Sequence, residues 1–281
     1  MKTKLRHIAI TSPTPGRLQR FYTHVFHLKN TSTGRKQDDD PQASRTLTDG
    51  YIGLFALLAR NPGYPGGLDH FGFDVDDLDE VRRRVSELYP SVTITERPSS
   101  RNFVGMAAHD PEGHVFDISY PQMGERRDPI EEQEEKTECR FHHLAMRAMN
   151  PKQMAKFYMD VLDLQPDRDP GDDGVYHLTD GVMKFVIMPW RITDFNGTGI
   201  VERPGLDHIG FSVPNMGVFR EDLATLIKDF PDSAPLIGRR EKEWMIKERE
   251  FRMTMQSQCE YQQDHLCDPD GVLLDVRAQD N

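Results

Sequence analysis

This chain is written twice, and no other feature limits its fold as strongly. Leu5-Arg-His-Ile-Ala-Ile is answered by Phe141-His-His-Leu-Ala-Met, which sets His7 against His143, 136 residues later. At the same offset, Leu18, Phe21, Tyr22, Val25 and Phe26 are matched by Met154, Phe157, Tyr158, Val161 and Leu162. Both sets follow the i, i+3, i+4, i+7, i+8 spacing of a helix with one buried face. Leu47-Thr-Asp-Gly returns as Leu178-Thr-Asp-Gly, in each case a turn leading into an apolar strand. Gly67-Leu-Asp-His-Phe-Gly-Phe returns as Gly205-Leu-Asp-His-Ile-Gly-Phe, which pairs His70 with His208. The helix that follows repeats too, with Leu78, Val81, Val85 and Leu88 answered by Met216, Phe219, Leu223 and Leu226. Last, Asp110-Pro-Glu-Gly followed by Asp117 returns as Asp268-Pro-Asp-Gly followed by Asp275. The offset grows from 138 at the GLDH segment to 158 at this turn, so the second half carries 20 extra residues, placed in the charged run 238–262.

Within each half the order strand, helix, strands is itself repeated, from His7 or His143 and again from His70 or His208. The expected fold is therefore α+β, with four βαβββ modules in two tandem domains, residues 1–120 and 139–281. The polar stretch 121–138, which contains Glu131-Glu-Gln-Glu-Glu-Lys, reads as a linker. A small sheet with one helix leaves one of its faces bare, so modules should pair and leave a concave cleft between sheets.

A net charge of −11 argues against a nucleic-acid surface, which needs a clustered basic face, and against an anionic membrane. No apolar run reaches the roughly 18 residues of a membrane span, and residues 1–10 lack the apolar core of a signal peptide, so a cytoplasmic location is expected. Cys139, Cys259 and Cys267 form no CxxC pair and point to neither a disulfide framework nor a thiolate zinc site.

Strand alternation puts His7 and Ala9, and likewise His143 and Ala145, on one face, with Ile8 and Leu144 on the other. The closing strands Val115-Phe-Asp-Ile and Leu273-Leu-Asp-Val each bury a lone carboxylate among apolar neighbours, which is costly without a partner. A divalent metal shared with two imidazoles would remove that cost. Two His and one carboxylate with open positions is the facial arrangement of non-haem Fe(II) oxygenases. A structural reading competes with it, because an Asp after a DPxG hairpin can bond a backbone N–H and a first-strand His can simply pack.

At these residues the sequence resembles the vicinal oxygen chelate superfamily, which includes glyoxalases, bleomycin and fosfomycin resistance proteins, and type I extradiol dioxygenases. Carried over residue by residue, the resemblance implies metal ligands at His143, His208 and Asp275 in the second half and His7, His70 and Asp117 in the first. Four modules with an acid near the C-terminus look most like the extradiol enzymes, though these have Glu where both halves here have Asp. Their active-site Tyr, ten residues before the acid, is replaced by His265, and their catalytic His corresponds to either His177 or Lys184. Modules pair either one with two and three with four, or one with four and two with three.

The resemblance thus implies a divalent metal, Fe(II) first with Mn(II) or Zn(II) as alternatives, and a dioxygenase acting on a small aromatic diol or phenol with O2. His265 and His177 are the expected catalytic groups, and Tyr176, Trp190 and the 238–262 segment the expected walls. A homo-oligomer with no nucleic-acid or membrane partner is expected. The alternatives are a non-redox glyoxalase-type isomerase, lyase or transferase, and a metal-free protein that sequesters an aromatic compound.

Overall fold

The computed structural model describes residues 1–32, 40–64, 66–97, 104–121, 123, 136–191, 203–236, 259, 261 and 263–279. Most of the expected linker and of the 238–262 segment lies outside the described residues.

The first half runs β1 (Thr3–Ser12), α1 (Pro15–Val25), β2 (Lys29–Asn30), β3 (Arg45–Thr48), β4 (Leu54–Ala59), β5 (Gly67–Val75), α2 (Leu78–Leu88), β6 (Ile94–Glu96), β7 (Met106–His109) and β8 (Val115–Ser119). The second runs β9 (Arg140–Ala148), α3 (Pro151–Leu162), β10 (Gln165–Pro166), β11 (Tyr176–Thr179), β12 (Lys184–Pro189), β13 (Gly205–Val213), α4 (Met216–Asp229), β14 (Asp264–Cys267) and β15 (Leu273–Ala278). Helix starts carry local signals. Pro15 and Pro151 sit in the first turns of α1 and α3, while the Asp77, Asn150 and Asn215 side chains accept backbone N–H groups at the starts of α2, α3 and α4.

One sheet has the order β2-β3-β4-β1-β5-β8-β7-β6, and the other β10-β11-β12-β9-β13-β15-β14 among the described residues. In each, the first strands of two modules lie side by side and antiparallel, β1 against β5 and β9 against β13. Modules therefore pair one with two and three with four, edge to edge within a single sheet. One apolar core joins both sheets and all four helices, and includes Ile8, Phe55 and Phe71 from the first half and Leu144, Phe185 and Phe211 from the second. Phe26 stacks on Phe211 with ring centroids 3.9 Å apart. The expected cleft between sheets is thus occupied by core, and the His-bearing faces are the opposite ones, which among the described residues carry small apolar clusters around Ala9 and Ala145.

The repeated turns join the halves reciprocally. Tyr22 of α1 donates to Asp268 of the second half at 2.9 Å, and Tyr158 of α3 donates to Asp110 of the first at 3.0 Å. Glu112 accepts Met149 N and Asn150 N at 2.8 and 2.7 Å, while its counterpart Asp270 accepts from Ser12 and Arg17. Asp49 accepts Phe141 N at 2.9 Å, and Asp180 accepts Leu5 N at 2.7 Å. The LTDG and DPxG segments are clasps as well as turns. Tyr158→Phe would remove one donor from a buried acceptor, so a loss of about 1–3 kcal/mol in urea unfolding is expected.

Candidate metal centre

His143, His208 and Asp275 come from three adjacent strands, β9, β13 and β15, and each is about fully buried. Asp275 Oδ2 lies 3.1 Å from His208 Nε2 and 3.4 Å from His143 Nε2, and the two imidazoles stand nearly perpendicular. A first-row ion bound at about 2.0–2.3 Å holds neighbouring donors about 3–3.7 Å apart, so these separations are already those of a ligand set.

Strand irregularities make this possible. On β9, Phe141 faces Phe211 and His143 faces Gly210, which leaves His142 as the extra residue of a bulge. Regular strand alternation would turn His142 to the opposite face from His143, but the bulge brings the two Nδ1 atoms to 2.9 Å. Gly210 lies directly beneath the His143 ring, where any Cβ would collide with it. A second irregularity leaves Asp207 unpaired in the register between Leu206 and His208. Its carboxylate accepts from His208 Nδ1 at 2.6 Å and from Arg147 Nε at 2.8 Å.

These contacts fix the ring nitrogens. With Nδ1–H of His208 donating to Asp207, the Nε2 lone pair faces the Asp275 carboxylate, and this fully buried nitrogen makes no hydrogen bond. Two acceptors 3.1 Å apart need a cation between them, a proton or a metal ion. Although burial alone acts the other way, Asp275 and its neighbours raise the His208 pKa well above its ordinary value. Burial alone would raise Asp207, yet Arg147 and His208 hold it at about 2. His142 is lowered to about 3, by burial first and then by His143, so it is neutral. The donor set fits a divalent metal.

The first half repeats the plan less completely. His70 Nε2 lies 3.3 Å and His7 Nδ1 4.0 Å from Asp117 Oδ2, and Asp69 accepts from His70 Nδ1 at 2.5 Å. Here, however, Arg97 reaches Asp117 Oδ1 with Nη2 at 2.7 Å and Nε at 3.1 Å, so a side-chain cation already answers the carboxylate.

His265 faces Asp275 across β14 and β15 and holds its Oδ1 from Nδ1 at 2.7 Å, whereas Ala107 occupies the same register opposite Asp117. His177 lies two strands from β13's neighbour β9, with its ring 5.0 Å from that of Tyr261 and its nitrogens in contact with Arg168. Burial and then Arg168 lower its pKa to about 4, so at pH 7 it is a neutral imidazole. Lys184 pairs with Asp167, which also accepts from Tyr261 Oη at 2.7 Å. Tyr176 packs against the main core, and Trp190 is half-buried just beyond β12. Tyr261 is the aromatic ring beside the centre, 5.3 Å from His143.

Sequence reasoning passed over Asp69, Asp207, Arg97, Tyr261 and Cys259. The Asp of each GLDH copy was visible as a repeated residue, whereas Cys259 has no counterpart in any repeated segment.

Residues 4–118 match the model of the Glyoxalase/Bleomycin resistance protein/Dioxygenase superfamily. No curated protein matches the sequence. Among solved structures, the Mn(II)-bound glyoxalase from Novosphingobium aromaticivorans has a TM-score of 0.64 at 13% identity, over 98% of this chain and 81% of that one. Homoprotocatechuate 2,3-dioxygenase from Arthrobacter globiformis has 0.56 at 14%, over 99% and 80%. The 2,2',3-trihydroxybiphenyl 1,2-dioxygenase from Sphingomonas wittichii has 0.57 at 11%, over 99% and 91%. At such identities the likeness is one of fold. No described helix is long and apolar enough to cross a membrane. The family match, the repeated motifs and the shared two-sheet fold lead to one conclusion: the first half of this chain belongs to the glyoxalase/bleomycin resistance protein/dioxygenase superfamily, and the second half is a further copy of the same fold.

Proposed function

We propose that this chain is a metal-dependent dioxygenase acting on a small aromatic diol or phenol, with its reaction centre at His143, His208 and Asp275. The carrying observation is the fully buried His208 Nε2, which makes no hydrogen bond and is aimed at Asp275 by its partner Asp207. These three side chains would hold the ion, with Fe(II) the first choice. When bound, that ion supplies Lewis acidity that eases ionisation of vicinal hydroxyls, together with the redox capacity that O2 chemistry needs.

The other steps fall to the chain's own groups. His265 is engaged by Asp275 at Nδ1, so Nε2 is the atom that takes up a hydroxyl proton and later returns it. His177, neutral and held by Arg168, positions Tyr261 as the wall beside the centre. The Ala145, Val186 and Met188 side chains provide an apolar floor that excludes water. The reading places the reaction in the second half, with the Arg97-bridged first half as the weaker site.

The test is anaerobic loading with Fe(II), followed by oxygen-electrode traces with a panel of catechols. O2 uptake matched to loss of the catechol absorbance is the expected result. Turnover without O2 would support the glyoxalase-type reading instead, which the fold likeness to a Mn(II)-bound glyoxalase favours. Metal below about 0.1 per chain after loading would leave only the sequestering protein, since the buried donors would then be satisfied without an ion.

A further inference from the structure

Cys259 stands at the centre although nothing in the repeat predicts it there. It is fully buried, and its Sγ lies 3.3 Å from His143 Nε2. One donor atom each from His143, His208, Cys259 and Asp275 lies within 4.8 Å of all the others. The separations of 3.1, 3.3 and 3.4 Å among neighbouring donors match those of ligands around a single ion, about 3–3.7 Å. The thiol also does not stand alone, because the fully buried His208 Nε2, without a hydrogen bond, points into the same space. The first half offers a contrast. Among the described residues its group contains only His7, His70 and Asp117, and a guanidinium rests on the carboxylate.

We infer that Cys259 is a fourth protein ligand, giving the second half a two-His, one-Asp, one-thiolate centre that its first-half counterpart lacks. This rests on the metal-binding part of the function proposed above and not on the dioxygenase reaction. As the ion binds, the Cys259 Sγ–H proton and any proton held on His143 Nε2 or His208 Nε2 are released, and no electron is transferred. Two consequences follow. A thiolate shifts preference toward softer ions such as Zn(II) or Co(II) relative to a purely nitrogen and oxygen site. Four protein ligands would also leave fewer exchangeable positions on a bound ion than three, so the thiolate would limit what else the centre can take.

The experiment is titration of the full-length, metal-free protein with Co(II), read by absorption spectroscopy and by elemental analysis. The expected result is an intense sulfur-to-cobalt charge-transfer band in the near ultraviolet that saturates at the second-half site. The band should be lost in Cys259→Ser, while that variant still binds Co(II), and should persist in Cys267→Ser. Cobalt bound by the wild-type protein without the band, or with a band that survives in Cys259→Ser, overturns the fourth ligand and leaves the three-ligand reading standing. No cobalt bound overturns both. Because the decisive band is read first on the unaltered chain, a folding defect in the variant does not rescue or sink the inference.

Discussion

Asp275→Ala is expected to abolish turnover, by about a thousandfold or more, while Asp117→Ala keeps most of it. The first substitution removes the carboxylate that faces both imidazoles and also holds His265. Losing the ion removes several kcal/mol of charge stabilisation, at about 1.4 kcal/mol per decade. In the first half, Arg97 already answers Asp117 and Ala107 stands where a proton carrier would be needed. Matched measurements of turnover and metal content on the two variants check this. A greater loss in Asp117→Ala would refute the assignment of the reaction to the second half.

Gly210→Ala is expected to be nearly as damaging. A Cβ there lies inside the His143 imidazole, so the ring must swing away from Asp275 and Cys259 or the two strands must part. Overpacking of this kind costs about 1–3 kcal/mol, and here the displaced side chain is itself one of the proposed ligands. A lower urea midpoint and loss of about one metal equivalent per chain are expected together. Gly72→Ala tests the other half, where the added Cβ meets the Asp117 backbone oxygen at 2.9 Å and the His7 Cβ at 3.2 Å. An unchanged midpoint with full metal content in Gly210→Ala would show that His143 is not held as described.

Much of this architecture could be read from the repeat alone, since periodic segments at a fixed offset leave few alternatives to four like modules. The membership of His143, His208 and Asp275 in one cluster was legible because motifs at strand starts and ends become neighbours once β9, β13 and β15 lie side by side. The alternation rule then hid the groups that orient them. Asp207 and His142 sit next to His208 and His143 in sequence and would point away from them on a regular strand, but local irregularities turn both toward the centre. Module pairing stayed open because either arrangement buries the same apolar faces. Register between β1 and β5 decides it. Cys259 lay in a segment without a repeat, and a thiol carries no signal of its own about what it faces.

The reciprocal clasps carry a further consequence. Each has its donor in one half and its acceptor in the other, and exchanging the halves turns one clasp into its counterpart. A single half therefore holds both sides of the joint and is complementary to a copy of itself, as in an isologous two-fold dimer. In such a dimer every substitution appears in both sites at once. Covalent linkage of the two copies removes that symmetry constraint, so Arg97 can close one centre while His265 and Cys259 equip the other, with the joint between them intact.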